Sequence, residues 1–204
     1  KHIHNYGWAI IIMTIVIRVL TYPLNKKSIV SMKEMQVIQP QMKRLQEQYK
    51  NDPKRMQQEL MLLYKKHGVN PMSGCFPMLI QIPVFFAFYK ALASSVELQG
   101  ASFFFIKDLA SPDGVLSIPG MAHSINVLPL VMGITQLISQ KQTMSDSSQK
   151  NMMYFFTIFI TFIFYSMPSG LVLYFLVSNL LSIWQTSKIA ALKKNQTEQP
   201  APVK

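Results

Sequence analysis

TIVIRVLTYPL, Thr14 to Leu24, places an arginine inside an apolar run, WAIIIMTIVIRVLTYPL, with no acidic residue nearby in the sequence. Whether that run crosses a membrane decides the fold. A lipid-exposed arginine at a helix centre costs roughly 2.5–3.5 kcal/mol on insertion scales. A chain that carries one must lead the charge to the headgroups or surround it with water and polar groups.

Composition places the run in a membrane. Half of the 204 residues are hydrophobic and only 14% are charged, against about 25% in soluble domains. Long uncharged stretches alternate with one dense basic block, the pattern of an all-α, polytopic membrane protein. Of the net charge of +11, most lies between Lys26 and Met72, where ten Lys/Arg face four Asp/Glu for a net +6. The single Cys75 excludes an internal disulfide framework and a Cys-based zinc site. His2, His4, His67 and His123 are scattered, and no Gly-rich phosphate loop, nucleophile elbow or paired-carboxylate motif occurs. No enzyme chemistry, cofactor, metal or specific DNA binding is expected. The start at Lys1, without an initiator Met or signal-peptide pattern, reads as a processed or excised core.

A spanning helix needs about 20 mostly apolar residues. Five segments are expected to span, at about 6–22, 75–96, 125–140, 152–167 and 171–189. Trp8 and Tyr22 anchor the first at the interfaces, and Pro23 is expected to stop it. Pro77 and Pro83 should kink the second. Pro168-Ser169-Gly170 is the expected turn between the last two, because merging them would need nearly forty apolar residues. Basic loops mark the cytoplasmic side, so the block at 26–72 faces the cytoplasm. The loop at 97–124, with Glu97, Asp108 and Asp113 against Lys107, lies outside. Lys141, Lys150, Lys188, Lys193 and Lys194 return to the cytoplasm. The expected topology is five spans, N-terminus out and C-terminus in, with the whole chain, 1–204, as one membrane core.

The basic block has helical periodicity: Met35, Ile38, Met42, Leu45 and Tyr49 recur on one face, with Pro40 as a kink or restart. Asp52 as N-cap and Pro53 at the first helical position open a second helix, with Met56, Leu60, Leu63 and Tyr64 on one stripe and an end at Gly68. The two form a cytoplasmic helical hairpin. Its Met-rich seam either packs the two helices together or offers an adaptable surface to hydrophobic segments. Its basic exterior suits anionic lipid headgroups or ribosomal RNA.

Depth sorts the polar residues. Thr14, Arg18, Thr21 and Asn25 follow i, i+4, i+7, i+11 and share one face of the first helix. The same half of the bilayer receives Gln81 from the second span, Thr135, Gln136, Ser139 and Gln140 from the third, and Thr157 and Thr161 from the fourth. The fifth adds Ser178, Asn179, Ser182 and Gln185. Arg18 alone would fit snorkelling to the headgroups, since Tyr22 follows about 6 Å of helix rise later. The whole set, confined to the cytoplasmic half, points to a hydrated groove that stops partway, and not to a pore.

Arg18 followed by Tyr22-Pro23-Leu24, the run NPMSGCFPMLIQIPVFFAFYKAL from Asn70 to Leu92, and PSGLVLYFLVSN from Pro168 to Asn179 resemble the YidC-type membrane protein insertases, with their mitochondrial and chloroplast relatives. Order, spacing and topology agree over essentially the whole length. The GCFP setting of Cys75 looks like the bacterial form with a large extracytoplasmic domain. That domain and a further N-terminal span lie outside this sequence, which suits an excised core. The resemblance implies a multi-pass protein of the bacterial inner membrane that inserts nascent membrane proteins without nucleotide hydrolysis, alone or beside the Sec translocon, with the ribosome as a further partner. Arg18 becomes the groove arginine and Thr14 its neighbour one turn earlier, with Thr21, Gln81, Gln136, Thr157, Ser178, Asn179 and Ser182 around them. A substrate-sliding surface falls on Phe85, Phe86, Phe88, Phe155, Phe159 and Phe162, with Tyr174 and Phe175 at the family's aromatic contact position. Ordinary bundle packing or lipid contact is the competing reading of each ring.

Rival functions fit less well. A small-solute transporter or channel wants midplane ligands, paired charges or inverted repeats. An intramembrane enzyme wants a Ser/His pair, an acidic dyad or a metal set, and the span cores hold no His, Asp or Glu. A lipid scramblase remains compatible, since a hydrophilic groove open to lipid would serve headgroups too.

Overall fold

A computed structural model describes residues 5–74, 76–94, 98–115, 125–143 and 147–198. Cys75, Val96, Glu97, residues 116–124 and the histidines His2, His4 and His123 lie outside the described residues. Those described form six α-helices and no extended strand: α1 (Tyr6–Gln48), α2 (Pro53–His67), α3 (Phe76–Ser94), α4 (Val127–Thr143), α5 (Ser147–Phe164) and α6 (Ser169–Glu198). A short 3-10 turn, Pro71–Gly74, precedes α3. Three helices, α1, α3 and α6, are long and apolar enough to cross a membrane, and Asn151–Phe164 is a shorter apolar helix.

The first apolar segment and the first arm of the hairpin are one helix. Asn5 caps α1, its Oδ1 accepting from the Gly7 N–H at 3.0 Å. The helix then runs 43 residues through both Pro23 and Pro40, about 65 Å at 1.5 Å per residue. Pro23 is therefore not the stop that its chemistry suggests. A proline removes one intrahelical donor, a loss that neighbouring Ser/Thr side chains can offset in a spanning helix. The carbonyl that Pro23 frees is that of Val19; the side-chain bonds nearby flank it, with Thr21 donating its hydroxyl to the Ile17 carbonyl at 2.9 Å and Asn25 donating to Thr21 Oγ1 at 3.2 Å.

α2 begins and ends where its sequence signals lie. Asp52 accepts from the Arg55 N–H at 3.0 Å, Pro53 occupies the first turn, and Gly68 closes the helix at φ 63°. Ile38, Met42 and Val69 are buried between the arms, with Met35, Leu60, Leu63 and Tyr64 packed on them. The seam thus takes two methionines into its packing and leaves Met61 exposed. The hairpin is fastened to the bundle at the end of α4, where Lys33 Nζ donates to the Gln142 carbonyl at 3.0 Å and Gln36 Nε2 to the Thr143 carbonyl at 3.0 Å. A cation at a helix C-terminus meets its unsatisfied carbonyls and the negative end of its dipole.

α6 is the hub, packed against α1 and α4 and more lightly against α3, while α5 lies on α4. The turn between α5 and α6 falls at Tyr165–Pro168, earlier than the sequence suggests, with Ser169 and Gly170 inside the first turn of α6. Their orphan N–H groups donate to the carbonyls of Ser111 and Leu109, each at 2.9 Å. The loop at 98–115 is thereby strapped over this end of the bundle. Asp113 caps α4 by accepting from the N–H groups of Val127 and Leu128 at 2.8 and 3.0 Å.

Asp108 tightens the same loop, accepting from the N–H groups of Gly100 and Ala110 and from Ser111 Oγ at 2.9–3.0 Å. Partial burial pushes its carboxyl up, but these three donors outweigh burial and hold it below the usual carboxylate value of 3.8. A depressed folded value adds stability above the unfolded value and loses it as pH falls through the folded one. The protection of amides in residues 98–115, relative to unstructured chain at the same pH, is therefore expected to fall as the pH drops below about 3.8, and Asp108→Asn should flatten that acid-side fall.

Candidate functional site: a polar cleft

The buried apolar core lies at the loop end of the bundle. Ile10, Phe88, Ile106, Leu109, Leu171 and Tyr174 are among its most enclosed members. Below it, toward the hairpin, α1, α3 and α6 enclose a polar cleft lined by Thr14, Arg18, Thr21 and Asn25 of α1, Gln81 of α3, and Tyr174 and Ser178 of α6. Ile17, Ile80 and Val84 complete the wall. From Thr14 to Asn25 the lining extends about 16 Å along α1 at 1.5 Å per residue, roughly half of a 30 Å hydrocarbon core.

Among the described residues, Arg18 is held without an acidic partner. Nε donates to Ser178 Oγ at 3.0 Å, and Nη2 donates to the same oxygen at 2.6 Å and to the Ser178 carbonyl at 2.8 Å. Two edges of the guanidinium fork are thus fixed, and Nη1 has no hydrogen bond among the described residues. A charge-assisted contact in this position orients the fork while leaving its positive charge uncompensated.

Tyr174 marks the boundary between core and cleft. Its ring stacks on Phe88 at 4.9 Å, while its hydroxyl accepts from Gln81 Nε2 at 2.7 Å. Thr14, fully buried, donates its hydroxyl back to the Ile10 carbonyl at 2.6 Å and so brings no free donor into the cleft. With its open mouth included, the cleft encloses about 300 Å³. One turn of a helix with side chains, about 10 Å wide and 5.4 Å high, fills roughly 400 Å³. Within the outline of the cleft the room left for water-sized groups is about 20 Å³, enough for about one water molecule and far too little for a helix.

Of the nine polar residues expected in the groove, five line the cleft: Thr14, Arg18, Thr21, Gln81 and Ser178. The other four stand elsewhere. Thr157 is buried between α4 and α5, its Oγ1 within 2.8 and 3.0 Å of the two ends of the Gln140 amide. Gln136 is half-buried on α4 and outside the cleft lining. Asn179 lies one residue, or 100°, round α6 from Ser178, buried with its Nδ2 unpartnered. Ser182, one turn beyond Ser178, is half-buried and also outside the lining. The Tyr174 hydroxyl is the addition; its position four residues before Ser178 is the periodic signal that places it there.

The eight aromatic candidates also divide. Phe86, Phe155, Phe159 and Phe162 are exposed on α3 and α5, with Phe155 and Phe159 stacked at 6.5 Å. Phe88 and Tyr174 are buried, and Phe85 and Phe175 pack with Phe164 into one aromatic cluster at 4.7–6.1 Å. The first four rings face outward on α3 and α5, and the other four pack at the closed end of the cleft. Among the described residues, no group of three His, Cys, Asp or Glu could hold a metal ion.

Comparison with known proteins agrees with this architecture. The family model described as 60Kd inner membrane protein matches residues 1–197. The membrane protein insertase YidC of Pelobacter propionicus is 50% identical over 196 residues, which is 94% of this chain and 36% of that protein. Its counterpart in Geobacter metallireducens is 49% identical over 93% of this chain and 34% of its own length. The chain therefore spans about a third of these relatives. A crystal structure of an active YidC insertase with its first transmembrane domain resolved superposes with a TM-score of 0.69 at 29% identity, over 92% of this chain and 41% of that one. The chain belongs to the 60Kd inner membrane protein family.

Proposed function

We propose that this chain is the membrane core of an insertase of the bacterial inner membrane. It spans the bilayer five times, N-terminus out and C-terminus in, with the α1–α2 hairpin in the cytoplasm. The observation that carries the reading is the division of one bundle into a polar cleft around Arg18 and an apolar plug above it. A pore would be polar throughout, and an ordinary bundle would be apolar throughout.

The division has a direct physical use. A polar segment crossing intact hydrocarbon leaves backbone groups unsatisfied at several kcal/mol each. A wet cleft of half the bilayer depth halves that dry path. Nascent membrane proteins offer their polar tails to the cleft from the cytoplasm, while their apolar segments pass along the exposed rings of α3 and α5 into lipid. Burial of an apolar segment, at about 25 cal/mol per Å², drives the step without nucleotide hydrolysis. The outside-positive membrane potential adds its pull on acidic tails. The names of the relatives support this assignment. The Sec translocon and ribosome are proposed partners, and the basic hairpin also suits anionic headgroups.

The test is reconstitution into protein-free vesicles without nucleotide. Insertion of a short single-span protein is the expected result; lipid flipping without protein insertion would replace the reading with that of a scramblase. Within the same assay, Ser178→Ala removes the oxygen that two Arg18 nitrogens share and leaves only the carbonyl. Water can replace part of a charged hydrogen bond worth about 1.5–3 kcal/mol. A few-fold loss of insertion is expected, and wild-type rates would show that Ser178 does not position the guanidinium.

A further inference from the structure

The loop end of the bundle carries an apolar surface that the cleft does not use. Residues 98–115 fold back over the start of α1, and Phe103 is the pin. Its ring meets Trp8 edge-on at 5.8 Å and lies against Gly7, where any Cβ would overlap it. Its backbone pairs with Ile106 through two hydrogen bonds of 2.9 Å. That pairing forces Phe104 and Phe105 into a tight, outward-pointing turn.

The turn has the wrong residues for water. Phe104 sits at φ 49°, in the left-handed region where Gly and Asn are at home and bulky residues are rare. It is 79% exposed, Phe105 is 54% exposed, and Trp8 beside them is 50% exposed. Trp8 and Phe104 are in ring contact at 6.4 Å, and exposed Phe105 follows Phe104 in the same turn.

The neighbourhood says what covers it. Trp8, Ile12, Ile15 and Val19 fall at i, i+4, i+7 and i+11 and are all exposed, one stripe down a helix long enough to span. On a spanning helix that stripe faces lipid, and the loop tip prolongs it beyond the end of α1. Lys107, exposed two residues after Phe105, puts a cation at the rim where headgroup phosphates lie. Amphipathic and aromatic rings concentrate at this interfacial depth.

We propose that Trp8, Phe104 and Phe105 form an aromatic prong seated in the lipid interface of the leaflet on the loop side, with Lys107 at its phosphates. The ligand is the phospholipid surface itself. Because the loop is strapped to the start of α6 through Leu109 and Ser111, the prong pins the closed end of the cleft at a fixed bilayer depth. This inference needs only that α1 spans the membrane and stands whether or not the cleft inserts proteins.

The chain has two tryptophans, Trp8 and Trp184, so a single-tryptophan reporter is simple to make. Phe105→Trp in a Trp8→Phe, Trp184→Phe background is reconstituted as the full chain into phosphatidylcholine/phosphatidylglycerol vesicles. The expected result is blue-shifted emission, quenched most by lipids brominated near the headgroup, less by deeply brominated lipids, and little by aqueous acrylamide. Phe104→Trp in the same background reads the adjacent tip position and guards against one badly folded variant. Red-shifted emission open to acrylamide in both variants would place the tip in water and overturn the proposal. Blue-shifted emission quenched by neither agent would overturn it too, since the tip would then be buried in protein.

Discussion

Arg18→Leu is expected to lower insertion of substrates with acidic translocated tails by about ten- to a hundredfold, the loss of one charge-assisted contact of about 1.5–3 kcal/mol. Substrates with neutral tails should change far less. The variant should fold, because among the described residues the hydrogen bonds of Arg18 all go to Ser178, whose hydroxyl can turn back to its own helix. Arg18→Lys keeps the charge and loses the two-edged grip, so most of the activity on acidic tails is expected to survive. A matched pair of substrates in reconstituted vesicles, without an imposed potential, is the measurement. The potential is excluded because it contributes about 2.3 kcal/mol per charge per 100 mV and would mask the local effect. Equal rates for Arg18→Leu and wild type on acidic tails would reduce Arg18 to a residue that keeps the cleft wet.

Gly133→Val is expected to give the largest loss of stability. A Cβ at Gly133 would lie 2.6 Å from Thr161 Oγ1 and 3.2 Å from its Cγ2. Thr161 cannot simply rotate away, since its hydroxyl donates to the Thr157 carbonyl at 2.8 Å. Thr157 in turn is committed to Gln140 across the α4–α5 seam. Small residues at such seams allow close helix approach in lipid, where hydrophobic driving force between helices is lacking. Overpacking costs about 1–3 kcal/mol, so the thermal midpoint in detergent or nanodiscs should fall by several degrees. Gly133→Ala should fall less, because alanine's better helix propensity, worth about 1 kcal/mol, offsets part of the clash. An unchanged midpoint for valine would mean that α4 and α5 do not pack this closely in the bilayer.

Several features were readable in one dimension because they depend on one dimension. The caps of α2 are local chemistry: Asp52, Pro53 and Gly68 act within a turn of where they stand. The polar stripe on α1 is a matter of helical period, and Thr14, Arg18, Thr21 and Asn25 all line the cleft. Pro23 shows the limit of a local rule. A proline stop is sound where water takes the freed groups, but in a long apolar helix stopping would free several backbone groups where Pro23 frees one, so the helix continues.

Thr157, Gln136, Asn179 and Ser182 stand outside the cleft lining for a shared reason. Hydropathy and loop charge set how deep a residue lies, but rotation about the helix axis is set by packing against neighbours. Depth alone grouped Ser178 with Asn179, though 100° separates them. The same ambiguity joined the buried Phe88 to the exposed Phe86.

The amino-acid sequence by itself determined the all-α membrane class, the position of the apolar segments, the polar face of α1 and the family resemblance, since each follows from composition, period or motif. Only the tertiary structure decided that Arg18 rests on Ser178, 160 residues away in the chain, that Tyr174 closes the cleft, and that Phe104 stands beside Trp8. Those contacts depend on how helices rotate and on where a loop returns, which is the outcome of packing many side chains at once. No local pattern encodes that outcome.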